Sequence, residues 1–378
     1  MKLIHLSDLH LGKRVNEFSM LEDQRYILKQ ILAVVDEQMP QGLILAGDIY
    51  DKPVPPGEAV QLFDWFLTEL ADREISVFAV SGNHDSPERL AFGARLMSGR
   101  GIYVSPVYDG KVEQVCLKDE FGRIYIHLMP FLKPLMVRHA FEGQEPKTYE
   151  EALKIALEHM KIDTSQRNVL VAHQFVTGAS RCESEELLVG GLDNVSAGLF
   201  DEFDYVALGH IHSPQKIGRE TVRYCGTPLK YSFSEAGQEK SVTLVEVLEK
   251  GNCRVTAIPL KPMRDMRIIR GSYLEVTALS FYESSNREDY IQAVLTDEED
   301  IPDGMQKLRV IYPNLMGLEY DNARTRENRM IEGAETVEQK TELELFEEFY
   351  ELQNNQPMSG EQKEFAKNLI KELKEDGR

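Results

Sequence analysis

The run Leu43-Ile44-Leu45-Ala46, followed by Gly47-Asp48-Ile49-Tyr50-Asp51, decides how this chain folds. Its apolar half predicts a buried strand, Gly47 lets the backbone turn tightly, and Asp48 falls where the strand gives way to its loop. That is where α/β proteins hold their reactive groups. The same pattern, an apolar strand and then a short polar loop rich in metal-ligand side chains, recurs at four other places.

Working outward, residues 2–7 read as a first strand that delivers Asp8 and His10, two positions apart and so able to point the same way. Residues 75–80 end in Gly82-Asn83-His84-Asp85, residues 168–172 in His173, and residues 204–208 in Gly209-His210-Ile211-His212. Apolar spacing predicts helices over 20–39, where Pro40-Gln41-Gly42 stops the first, over 58–73, from 87 to about 98, and from 148 to about 160. Strand-like pieces lie at 101–105, 111–117 and 123–128, and alternating stretches over 222–258 predict antiparallel strands closing the domain. Lys261-Pro262-Met263 reads as a linker. Beyond it, a strand (267–278), a helix (287–295) and a strand (306–312) compose a small α+β unit, followed by charged amphipathic helices over 342–352 and 361–373. Leu343, Phe346, Phe349 and Tyr350 line one side of the first of these.

The 378 residues suffice for a sizeable core and more than one domain. A makeup of 42% hydrophobic and 28% charged residues is that of an ordinary soluble protein. No apolar stretch reaches the length of a membrane span, and Asp8 interrupts the apolar core a signal peptide needs, so a cytoplasmic protein without a membrane partner is expected. Cys116, Cys182, Cys225 and Cys253 are widely spaced and read as core thiols, not a zinc knuckle or a disulfide framework. The net charge of -20 runs against phosphate binding through clustered Lys and Arg. Residues 327–378, with 14 acidic and 7 basic side chains, contribute -7 of it, and the remainder is still acidic. A chain of this charge that meets phosphates is expected to draw affinity partly from bound divalent metals and partly from a partner chain.

Collected, the strand-end loops supply Asp8, His10, Asp48, Asn83, His84, His173, His210 and His212. Carboxylate, amide and imidazole ligands without thiolate suit Mn²⁺, Fe or Zn²⁺ better than Mg²⁺. They are too many for one ion, and a carboxylate can bridge two. Ions about 3.5–4 Å apart can hold a hydroxide nucleophile and clamp the phosphoryl oxygens of an in-line displacement. Taken singly, a D-x-H is common by chance and a histidine at a strand end is usually hydrogen-bonded structure. Five such sites in order, each behind an apolar strand, point to the metal reading.

On these residues the chain resembles the calcineurin-like metallophosphoesterases, whose pattern D-x-H, G-D-x-x-D, G-N-H-[DE], H and G-H-x-H is met by Asp8/His10, Gly47/Asp48/Asp51, Gly82/Asn83/His84/Asp85, His173 and Gly209/His210/His212. It is similar in particular to the double-strand-break repair nucleases among them, through Ser7-Asp8-Leu9-His10-Leu11-Gly12, Ala207-Leu208-Gly209-His210-Ile211-His212 and Tyr224-Cys225-Gly226-Thr227-Pro228. Ala172 stands where many members have glycine, which leaves the His173 ligand in place. The resemblance implies an α/β fold: a four-layer sandwich of two mixed β-sheets flanked by helices (residues 1–260), a small α+β capping domain (265–325) and a helical tail (335–378). It implies a first metal on Asp8, His10, Asp48 and His212, and a second on Asp48, Asn83, His173 and His210. It makes His84 the residue that stabilises or protonates the leaving oxygen, with the Asp51 acid orienting it. Two divalent ions, Mn²⁺ foremost, are the implied cofactors.

The implied activity is hydrolysis of DNA phosphodiesters as exonuclease and endonuclease, in repair and recombination. The implied partner is an SMC-like ATPase with a long coiled coil, onto which the tail helices dock. Helix 58–73 carries more apolar residues than one buried face requires, which suits either a helix deep in the core or one with its second face on another copy, as in a homodimer within a heterotetramer. Lys13, Arg14, Lys52, Arg89 and Arg181 lie near the motifs as candidate phosphate contacts, although most surface Lys and Arg are simply solvated. The rival enzyme reading is a dimetal phosphatase or small-nucleotide phosphodiesterase, and the rival without chemistry is a scaffold that kept the fold. An inactive relative would have lost ligands, and none is missing.

Overall fold

The computed structural model describes residues 1–180, 182–185, 194–323, 325, 343, 346–347, 350 and 358–376. Two six-stranded mixed sheets dominate it. In the first, the strands run Cys253–Pro259, Ser241–Val247, Lys2–Leu6, Gly42–Ala46, Ser76–Val80 and Ile102–Val104 across the sheet. The last four of these are mutually parallel, and Ser241–Val247 is antiparallel to both its neighbours. In the second, the order is Gln215–Ile217, Arg219–Tyr224, Tyr205–Gly209, Arg167–His173, Gly122–Met129 and Glu113–Asp119, parallel through its four central strands with an antiparallel strand at each edge. The expectation of antiparallel strands throughout 222–258 thus gives way at Arg219–Tyr224, which runs parallel to Tyr205–Gly209.

Three cores fill the four layers. Ile44, Ala46, Phe78 and Val80 of the first sheet meet Ile126, Leu128, Val169, Val171 and Ala207 of the second in a dry interior between the sheets. The outer face of the first sheet packs on the helices Leu21–Gln38 and Gly57–Asp72 through residues such as Ile27, Ile31, Leu62 and Phe66. The outer face of the second packs on Tyr149–Glu158 and Pro134–Ala140 through Leu153, Ala156 and Val137. Strands covered on both faces take near-continuous apolar runs, as in Gly42–Ala46 and in Val169–Ala172 of Arg167–His173, both strands being buried along their whole length.

The predicted helix from residue 87 to about 98 is two short helices, Pro87–Leu90 and Ala94–Met97, broken at Gly93, where φ is +76°. Tyr149–Glu158 starts where expected, with Thr148 and Glu151 forming a reciprocal capping box. The small region after the linker is α+β, but its inner elements exchange identity. Residues predicted as a helix form the strand Tyr290–Leu295, and the helix Gly304–Arg309 runs into residues predicted as a strand. Tyr290–Leu295 lies between Met266–Gly271 and Leu315–Tyr320 in a three-stranded sheet. Apolar runs of about six residues satisfy either period, and the sheet decides which one is used.

The chain divides into two compact units, Met1–Leu295 with Ile301–Glu319, and Thr296–Asp300 with Tyr320–Arg378. In the second, helix Gly360–Asp376 follows Ser359, which exchanges hydrogen bonds with Gln362. Phe346, Tyr350, Met358, Phe365 and Leu369 line an apolar hollow, with Phe365 70% exposed. Most of the predicted helix 342–352, including Phe349, lies outside the described residues. Among the described residues no helix is long and apolar enough to cross a membrane.

Candidate metal centre

The strands Lys2–Leu6, Gly42–Ala46 and Ser76–Val80 are adjacent and parallel in one sheet, as are Arg167–His173 and Tyr205–Gly209 in the other. Their C-terminal loops converge, and all the predicted ligands meet there. Holding them takes strained backbone: Asp8, His10, Asp48 and His210 all have positive φ, four of the nine such non-glycine residues among those described. Two glycines of the motifs are required by close approach. A methyl on Gly82 would overlap Asp48 Oδ1, and one on Gly209 would overlap the carbonyl oxygen of Ala46.

The atoms that meet are acceptors. His173 Nδ1 lies 2.8 Å from the Ala46 carbonyl oxygen, which can only accept, so Nδ1 carries the hydrogen. Its Nε2 then faces Asn83 Oδ1 at 2.9 Å and Asp48 Oδ2 at 3.3 Å, and His210 Nδ1 reaches the same Asn83 Oδ1 at 2.9 Å. On the other side of Asp48, His10 Nε2 stands 3.2 Å from His212 Nε2 and 3.9 Å from Asp48 Oδ2. Two nitrogens each about 2.0–2.1 Å from one ion are spaced in this way. The donor atoms of Asp8, His10 and His212 lie within 4.8 Å of one another, as do those of Asp8, Asp48 and His173, and of His10, Asp48 and His84. The donor set therefore fits two cations, with the Asp48 carboxylate between the His10/His212 and His173/Asn83 sides.

Electrostatics agree. Burial opposes the charge on Asp48, but the imidazoles of His173, His10 and His84 hold its carboxyl well below the usual range. Burial also opposes a charge on His173, yet Asp48 wins and raises it to about 9. A proton there occupies the position a metal would take. At His10, burial prevails and pushes the imidazole well below its ordinary value.

His84 is set apart. Its backbone N–H donates to Asp48 Oδ1 at 2.9 Å, and its Nδ1 lies 3.1 Å from the carbonyl oxygen of Asp51. Asp51 thus touches His84 through its main chain, while its carboxylate pairs with Lys13 Nζ at 2.7 Å and stands 3.8 Å from His10 Nδ1. The expected acid–imidazole contact is replaced by a carbonyl that fixes the Nδ1–H tautomer. Among the basic residues near the motifs, Lys13 is spent on Asp51, Arg14, Lys52 and Arg89 are exposed, and Arg181 lies outside the described residues.

Several supporting residues stand behind the ligands, most of them unmarked in the sequence pattern. Buried Asp85 accepts backbone N–H groups of Ile49 (3.1 Å), Tyr50 (2.9 Å) and Gly82 (3.0 Å), tying the Asp48 loop to the Asn83 loop. Burial and the nearby Asp48 charge raise its carboxyl to about 6. Gln24 donates to the His10 carbonyl at 2.8 Å and accepts from Gly12 N at 3.0 Å, and the Tyr231 ring packs edge-on against His10. Ser184, Glu185 and Glu235 surround His212. Among these, only Asp85 has a readable signal, as the acid that ends G-N-H-D.

Residues 1–214 match the family of calcineurin-like phosphoesterases, and residues 262–354 match the SbcD_C family, described as a type 5 capsule protein repressor C-terminal domain. The chain is 31% identical over 374 residues to the SbcD subunit of the nuclease SbcCD of Staphylococcus epidermidis, with 98% of each chain covered. Among solved structures it is similar to a dimetal phosphatase from Danio rerio (11% identity, TM-score 0.42, 70% of this chain and 98% of that one). A second is a 5'-nucleotidase precursor from Thermus thermophilus (14% identity, TM-score 0.38, 69% and 54%). With a phosphoesterase match over more than half its length and a full-length relative above 30% identity, the chain belongs to the calcineurin-like metallophosphoesterase family, among the SbcD nuclease subunits.

Proposed function

We propose that this chain is the Mn²⁺-dependent nuclease subunit of a DNA repair and recombination complex, cutting phosphodiesters at DNA ends and hairpins as exonuclease and endonuclease. The observation that carries the reading is the convergence of acceptor atoms from five loops on both sides of Asp48. Asp8, His10, Asp48 and His212 would hold one ion and Asp48, Asn83, His173 and His210 the other. Bound there, the ions supply a hydroxide nucleophile at neutral pH and neutralise the phosphoryl oxygens. The chain's own part is positioning and proton transfer. With Nδ1–H on the Asp51 carbonyl, a doubly protonated His84 presents Nε2–H at the partly exposed mouth of the site, where it would give that proton to the leaving oxygen and keep Nδ1–H.

The remaining assignments complete this reading. Residues 265–325 act as a cap that positions DNA, and residues 335–378 dock on the coiled coil of the ATPase SbcC through the face bearing Phe346, Phe365 and Leu369. The ATPase supplies the basic grip on DNA that a chain of charge -20 lacks. Two chains pair in the heterotetramer through exposed apolar side chains, Val60 on helix Gly57–Asp72 and, on the segment that follows it in the chain, Phe92 and Leu96, each 85% exposed. Leu96→Glu is expected to leave a monomer in light scattering at micromolar concentration. The complex works in the cytoplasm, at the nucleoid.

The alternative, a dimetal phosphatase or small-nucleotide phosphodiesterase, shares the centre but has no use for a cap or a docking tail. Assay with Mn²⁺ on linear duplex and hairpin DNA beside a chromogenic phosphodiester separates the two. Cleavage of both DNAs is expected, whereas turnover of the small ester alone favours the alternative.

A further inference from the structure

His212 is oriented by a chain of side chains, half-buried at Ser184 and fully buried at Glu235, reaching it from two separate segments. Its Nδ1 lies 2.7 Å from Ser184 Oγ, and Ser184 Oγ donates to Glu235 Oε1 at 2.7 Å. Glu235 has no exposed surface, and its carboxylate also accepts from Tyr231 N (3.2 Å), Thr227 Oγ1 (3.4 Å) and Lys240 Nζ (2.6 Å). Lys240, itself buried, donates in addition to the His212 carbonyl at 3.0 Å.

A hydroxyl has one hydrogen, and an ionised carboxylate can only accept. Since Ser184 gives its hydrogen to Glu235, its oxygen must accept the Nδ1–H of His212. The imidazole is thereby locked as the tautomer whose Nε2 carries a lone pair, and that Nε2 is the atom facing His10. The backbone is fixed by the same segment: Glu185 Oε1 accepts His212 N–H at 2.7 Å, and its Oε2 accepts Cys182 N–H at 3.1 Å.

We propose that Ser184 and Glu235 are positioning residues that make His212 a ligand of the Asp8/His10 metal, through a Glu235–Ser184–His212 relay anchored by Lys240. Carboxylate partners behind ligating histidines set the tautomer and raise ligand basicity, and losing them typically weakens metal binding about 10–100-fold. The proposal rests on the two-metal reading of the site, and it predicts selectivity: the relay touches one side of Asp48 and not the Asn83/His173 side.

The test is calorimetric titration of the full chain with Mn²⁺ after stripping with chelator, which reads metal binding whether or not DNA is cut. Ser184→Ala is expected to bind one Mn²⁺ as the unaltered chain does and the other about 10–100-fold more weakly, with the metal-free unfolding midpoint unchanged. Ser184→Thr, which keeps the hydroxyl, should recover most of the loss. Glu235→Gln should reproduce the selective loss, because its amide can present N–H to Ser184 and so reverse the relay. Unchanged affinity for both ions in Ser184→Ala would overturn the proposal. So would an equal weakening of both ions in Ser184→Ala and Glu235→Gln, the mark of a merely structural role.

Discussion

The imidazoles of His10 and His212, 202 positions apart in the chain, bring their Nε2 atoms within 3.2 Å of each other in the interior. With His212 Nδ1–H given to Ser184, its Nε2 directs a lone pair toward His10 Nε2. A cation between the two rings would take that lone pair and, with the His10 hydrogen moved to Nδ1, the one on His10 Nε2 as well. Mn²⁺ should therefore stabilise the fold by about 2.7 kcal/mol at a hundred times its dissociation constant. Thermal unfolding after chelation and after adding Mn²⁺ checks this; identical midpoints would count against a built metal site.

His84 contacts the centre without completing it, since its backbone N–H holds Asp48 and its Nδ1 is tied to Asp51. His84→Gln should keep both metals by elemental analysis, while DNA cleavage falls by about 10²–10⁴-fold, the usual contribution of a placed general acid. Full activity in that variant would show that the proton comes from elsewhere.

Acid stability should depend on a pair far from the metals. Asp119 binds the guanidinium of buried Arg167 and the N-terminal ammonium at 2.7 Å. Burial works against its charge, but these two hydrogen-bonded cations hold its carboxyl well below the usual range. A folded-state value below the unfolded one means that the stabilisation is present above the ordinary aspartate range and is lost as pH falls below about 4. Asp119→Asn should lose about 2 kcal/mol at pH 7 and much less at pH 3, as read from urea midpoints. An equal loss at both values would contradict the ionic account.

Much of this is legible in the sequence because strand and ligand are neighbours in the chain. Gly42–Ala46 is covered on both faces, so its apolar run announces itself, and Asp48 follows two residues later. Tyr290–Leu295 defeats the same reading because a six-residue apolar run fits both periods, and the choice belongs to the sheet it joins; Gly304–Arg309, with only Met305 and Leu308 apolar, is too short and polar to show a period at all. The relay behind His212 is illegible for another reason. Ser184 and Glu235 lie 28 residues before and 23 after it, so no local spacing marks them. The role of Asp51 is half visible: its position is right, but the atom that meets His84 is a carbonyl common to every residue.

The central claim is that two cations share Asp48, and anomalous diffraction at the manganese edge, from crystals grown with Mn²⁺, tests it most directly. Two peaks about 3.5–4 Å apart, both bordering the Asp48 carboxylate and both lost in Asp48→Ala, are predicted. A single peak, or a pair that persists without Asp48, would contradict it.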